Sequence, residues 1–173
     1  MTEEVRVKVG LKIIRKNKDG SEEVIYERGF VEPNKYSEKG GDPNVTADII
    51  AGLAYQFFTC YSCGSGYVIN ASGYAYDTNN KQYQLSNVSA QWNSSNNTLT
   101  LQGSLTPSTS VTIASLSWAT ALCVAPQYTP NAPAGVVCPI TTSETITSVN
   151  ASLNANTTYT FILTISLSVP SSF

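Results

Sequence analysis

The chain has no histidine, a single methionine and very little charge outside its beginning. Without His, the nucleophile–His–carboxylate arrangement and His-based metal clusters are both unavailable. No Gly-Lys-Ser/Thr phosphate loop occurs. Past Asp42 only Asp48, Asp77 and Glu144 remain as carboxylates, so an acid–base pair for glycoside hydrolysis would have to draw on these or on the charged start. Neither enzyme activity nor a cofactor is expected. No run approaches 18 apolar residues, so no membrane span is expected. The start, MTEEVRVKVG, has no apolar h-region, and the expectation is either a mature form or a protein that reaches the exterior without the secretory route.

What charge there is lies at one end. Eighteen of the 22 charged side chains fall in the first 42 residues, and the last 91 residues hold only Glu144. A soluble surface normally spends about a quarter of its residues on charge. Here Ser, Thr, Asn and Gln must supply solubility instead. Carboxylates titrate near pH 4 and His near 6.5, so such a surface has little to lose in acid. The net charge of −2 recruits neither nucleic acid nor anionic membrane, and no direct nucleic-acid binding is expected. At 173 residues and 42% hydrophobic, the chain suits one domain, or one domain with a small appendage.

Seven Asn-x-Ser/Thr sequons stand at Asn44, Asn70, Asn87, Asn93, Asn96, Asn150 and Asn156. Six fall in the charge-poor part, where glycans would add the missing hydration. The four cysteines are Cys60, Cys63, Cys123 and Cys138. Their even number in a neutral chain points to structural disulfides, with three connectivities open. A bridge from Cys123 to Cys138 would close a Pro-rich loop and stabilise by about 3 kcal/mol. Cys60 and Cys63 could form a redox pair, but they follow a predicted helix, whereas an activated thiolate wants a helix N-terminus. A four-Cys zinc site would need a second close pair, which the Cys123 to Cys138 step does not provide.

Val5, Val7, Val9, Leu11 and Ile13 alternate with Arg6, Lys8 and Lys12, the pattern of a half-buried strand with a basic outer face. Asn17-Lys18-Asp19-Gly20 is a turn, and a second strand over 22–31 brings Glu22, Glu23 and Glu27 to face those cations. Residues 32–45 read as a linker. Thr46 then caps a short predicted helix with Asp48 in its first turn and Ile50, Leu53, Ala54 and Phe57 as its apolar stripe.

Beyond Gly64 the pattern is β throughout. Strands are expected over 66–77, from Tyr83 and Leu85 towards Trp92, through Leu99 and Leu101, and through Val111, Ile113 and Trp118. A Thr/Ser-rich strand over 140–149 is expected at a sheet edge, and an unbroken alternation runs over 159–169. The fold class is therefore mainly β: a charged hairpin arm and linker over 1–43, then a short helix and a neutral β-sandwich or jelly-roll-like domain over 44–173. Asp77 beside Thr78-Asn79-Asn80 suits a plain β-turn better than a calcium loop. Tyr67, Tyr74, Tyr76, Tyr83 and Trp92 read first as sheet packing and second as a sugar-binding surface.

The leaderless charged start MTEEVRVKVGLKIIRKNKDG, the sequon-dense neutral body and the closing strand TTYTFILTISLSV resemble virion structural proteins of viruses that infect hyperthermophilic, acidophilic archaea. Heavy Asn, Ser and Thr usage departs from the usual thermophile composition. The resemblance implies a non-enzymatic capsid, vertex, nozzle or tail component at the virion surface, glycosylated and disulfide-bonded. Its partners would be copies of itself and other virion proteins. Arg6, Lys8, Lys12, Glu22, Glu23 and Glu27 are then the candidate assembly interface, forming a homo-oligomer with complementary charge. The alternatives are a cell-surface filament subunit assembled by strand donation, through the first or last strand, and a module that binds a host-surface glycan.

Overall fold

A computed structural model describes residues 6–33, 42–48, 67–93, 95–124 and 137–168. The chain is mainly β, with two antiparallel sheets and no helix among the described residues. The first sheet has the order β2-β1-β11-β7-β6, formed by β1 (Arg6–Lys16), β2 (Glu22–Val31), β6 (Ser86–Asn93), β7 (Thr98–Leu105) and β11 (Tyr159–Ser168). The second has the order β3-β9-β8-β4-β5, from β3 (Val45–Asp48), β4 (Tyr67–Asp77), β5 (Gln82–Gln84), β8 (Val111–Val124) and β9 (Val137–Ile146). The short β10 (Ala151–Leu153) pairs with the start of β8.

Alternation explains the pairing. Val7, Val9, Leu11 and Ile13 of β1 and Tyr159, Phe161, Leu163, Ile165 and Leu167 of β11 are all buried, so each strand has one dry face. The two strands run antiparallel through ten register pairs, from Arg6 opposite Ser168 to Arg15 opposite Tyr159. A one-residue slip would turn both apolar rows to solvent, which sets this register. From the second sheet, Ala75, Ile113, Leu116, Trp118 and Ile146 join the same hydrophobic cluster. Burying a Leu- or Phe-sized side chain there stabilises by about 1.5–3 kcal/mol each.

The charged hairpin is thus built into the first sheet, with β1 as an internal strand and β2 as its edge. Two sequence expectations change. Val45–Asp48 is a strand rather than the start of a helix: Thr46 pairs with Thr145 and Asp48 with Ser143, so partners distant in sequence override a local capping pattern. The remainder of the predicted helix, with Ile50, Leu53, Ala54 and Phe57, lies outside the described residues. Likewise β9 is not an edge strand, because β3 covers its far side.

Candidate functional site

Several of the hairpin's charges stand opposite a charge of the other sign within their own sheet. Lys12 stands opposite Glu27, Arg15 opposite Glu23 and Lys16 opposite Glu22, and Arg15 forms an ion pair with Glu23. Cross-strand neighbours point to the same side of a sheet, so these pairs neutralise one another locally. Arg6 and Lys8 differ: they precede the β1–β2 ladder, which begins with Val9 opposite Val31, and their partners on β11 are Ser168 and Ser166. Asp19 closes the hairpin turn. Its Oδ1 accepts from the Ser21 hydroxyl and backbone N–H, and these bonds hold its carboxyl below the usual value.

Two irregularities in the β1–β2 register, between Val9 and Leu11 and between Ile13 and Ile14, switch which β2 residues face outward. As a result Val24 stands opposite Ile14, and the Phe30 ring lies over Gly10, 3.4 Å from where a Cβ would be. Val24 is 47% exposed and Phe30 54% exposed, and they are the large apolar side chains left open among the described residues. Both lie on β2, whose far side pairs with no described strand. The sequence reading missed them, because strict alternation along 22–31 hides the switch in facing.

Arg28, which the sequence did not single out, ties this edge to the second sheet. Its guanidinium donates to the carbonyls of Thr147 and Ser148 at 2.9 Å each and to the Tyr26 hydroxyl at 2.9 Å. A planar fork reaching two neighbouring carbonyls is a task for Arg rather than Lys.

Elsewhere the outward faces are neutral. On β11, β7 and β6 the rows opposite one another are Thr, Ser, Gln and Asn apart from Ile162, which stands opposite Gln102; Thr164 lies opposite Thr100, and Thr100 opposite Gln91. Glu144, the last carboxylate, is fully buried opposite Trp118 and contributes nothing to the surface. On the second sheet Tyr74 and Tyr76 are half-buried and alternate with buried Gly73 and Ala75, which places them on the face away from the core. Tyr83 sits on β5, with the Lys81 ammonium 5.3 Å from its ring centre.

Asp77 organises the turn after β4. Its Oδ1 accepts from the backbone N–H of Asn79 and Lys81, and its Oδ2 from the Tyr83 hydroxyl at 3.0 Å. The Lys81 bond, ahead of the other contacts, holds the Asp77 carboxyl below its usual value, while desolvation and the Asp77 bond push the Tyr83 phenol up. Both carboxylate oxygens serve the turn, which borders an open polar cleft of ≈ 620 Å³ with Thr112, Ser152 and Asn154.

The sequons separate by environment. Asn44 is half-buried and its side-chain oxygen accepts from the hydroxyls of Thr147 and Ser148. Asn87, Asn93, Asn96, Asn150 and Asn156 are exposed. Asn70 lies on β4 opposite Ala121. Cys123 and Cys138 sit on the adjacent strands β8 and β9, beside the register break between Leu122 and Val124. Cys60 and Cys63 lie outside the described residues, as do the candidate redox and zinc arrangements that would use them.

No protein-family model, curated protein or solved structure matches this chain.

Proposed function

We propose that the protein is a non-enzymatic structural component of a virus particle, a capsid, vertex, nozzle or tail subunit of a virus of hyperthermophilic, acidophilic archaea. In this reading the two-sheet body is a jelly-roll-like sandwich at the virion surface. Its β2 edge docks on neighbouring copies or other virion proteins, and its neutral faces meet the exterior. The observation that carries the reading is the placement of Val24 and Phe30. Both are exposed apolar side chains on a ten-residue edge strand, where a partner can gain backbone pairing and apolar burial together.

Complementary charge then acts through fewer residues than the sequence implied. Glu22, Glu23 and Glu27 already face Lys16, Arg15 and Lys12, which leaves Arg6 and Lys8 to meet acidic groups of a neighbour. A closed ring or array forms if the rotation between copies closes. A Cys123–Cys138 bridge would pin the loop between β8 and β9. Strand donation in a filament fits less well, because β1 and β11 are each paired on both sides within the chain.

The test is assembly of purified protein followed by light scattering, comparing the parent with Val24→Ser/Phe30→Ser and with Lys8→Glu. Loss of assembly at unchanged melting temperature supports docking through β2. Normal assembly of the double variant sinks it.

A further inference from the structure

Among the described residues, the four strands that end the two sheets are protected unequally. On the second sheet β3 has four residues and β5 three, too short to template another strand. On the first sheet β2 is long and is the docking edge proposed above; its Glu22, Glu23, Glu27 and Arg28 and two register irregularities narrow the partners that can pair with it. The opposite edge, β6, has eight residues, SNVSAQWN, without charge or proline. Ser86, Asn87, Ser89, Gln91 and Asn93 along it are exposed, and no described strand pairs with its far side. A long neutral edge of this kind is a template for unwanted pairing.

Three of the seven sequons gather on that edge. Asn87 occupies the irregularity near the start of β6, between Ser86 and Ser89, with a left-handed φ of 52° that lifts it out of the ladder. Asn93 ends the strand, and Asn96 lies in the turn to β7. In Asn96 the side-chain oxygen accepts from the Thr98 hydroxyl at 2.7 Å, and in Asn93 it accepts from Ser95. In these two sequons the hydroxyl already bonds the amide oxygen and not Nδ2.

We propose that Asn87, Asn93 and Asn96 carry N-linked glycans whose function is to cap the β6 edge, so that copies associate through β2 and not through β6. This rests on the surface role proposed above and adds the device that gives that surface one sticky edge instead of two. In the modification Nδ2 bonds to the anomeric carbon of a lipid-phosphate-linked oligosaccharide. The bond from that carbon to the phosphate oxygen breaks, the lipid phosphate leaves with the electron pair, and Nδ2 gives up one proton. The glycan replaces the charge that other edge strands use as a barrier.

Two measurements on the full chain test this. Peptide mass spectrometry of the protein from its native source should find glycan on at least one of the three edge asparagines, and all three bare overturns the proposal. The chain made in a host without N-glycosylation should self-associate in sedimentation. Ser89→Lys/Gln91→Lys, both exposed positions on β6, should return it to the state of the glycosylated protein. A bare chain that stays monomeric overturns the cap. So does association that Val24→Ser/Phe30→Ser abolishes and the β6 lysines leave unchanged, a result that would still uphold docking through β2.

Discussion

Gly73 and Trp118 are register partners on β4 and β8, and the indole fills the space a side chain at Gly73 would need. A Cβ there would meet Trp118 Cε3 at 2.6 Å and Cζ3 at 2.7 Å, with Leu85 Cδ1 at 3.1 Å. The Trp118 side chain is fully buried between the sheets and cannot move without opening the core. Gly73→Ala is expected to cost about 1–3 kcal/mol through overpacking. Urea denaturation checks this, and the loss should shrink in a Trp118→Leu background, where the ring is gone.

Arg28 supplies the second test of how the sheets are joined. Arg28→Lys keeps the charge but gives up the fork to Thr147 and Ser148, so about 1–2 kcal/mol of stability should go. Hydrogen exchange should quicken around residues 147–149 and much less in β11. Equal exchange in parent and variant would show that the clamp holds nothing.

Acid behaviour follows from Asp77. Its folded value lies below 3.8, so the folded chain keeps the charge where the unfolded chain has begun to take up a proton. That stabilisation is complete above the unfolded value and is lost as pH falls through the lowered folded one. An NMR titration of the Asp77 carboxyl should give a midpoint below 3.8. Asp77→Asn should remove the carboxylate oxygen that accepts from the Tyr83 hydroxyl and so reduce the upward shift of the Tyr83 phenol, leaving the larger part due to desolvation. The Tyr83 shift has the opposite sign: its contribution is present below the ordinary phenol value and lost as pH rises through the folded one.

Asn97 makes the turn from β6 to β7 with φ 54°, and Asn80 the turn after Asp77 with φ 63°. Glycine should be tolerated at either site within a few tenths of a kcal/mol, whereas Asn97→Val should cost about 1–2 kcal/mol, since a β-branched residue resists the left-handed region. Thermal melts of the two Asn97 variants decide it. Asn87 and Asn156 also take positive φ, so their sequons are better removed through the hydroxyl residue, as Ser89→Ala or Thr158→Ala.

Much of the β architecture was legible because burial on one face leaves a period of two. Val7 to Ile13 and Tyr159 to Leu167 announce both the strands and which side faces inward. The Thr46 and Asp48 pattern misled because a capping signal is local, while the pairing of Val45–Asp48 with residues 143–146 is not. At the candidate site the sequence marked Lys12, Glu22, Glu23 and Glu27 but not Phe30 or Val24. Their exposure depends on two breaks in register that no composition or periodicity encodes.

The sequence by itself determined that the chain would form strands, that its charge would sit at one end, and that its later surface would be neutral, since these follow from side-chain alternation and composition. Only the tertiary structure decided that the charged hairpin joins the same core as the closing strand. It also decided that Glu144 lies inside and that β2 and β6 end the same sheet. The reason is physical: burial and edge position belong to strand order, and strand order is settled by contacts between residues such as Lys12 and Ile162 that lie 150 positions apart.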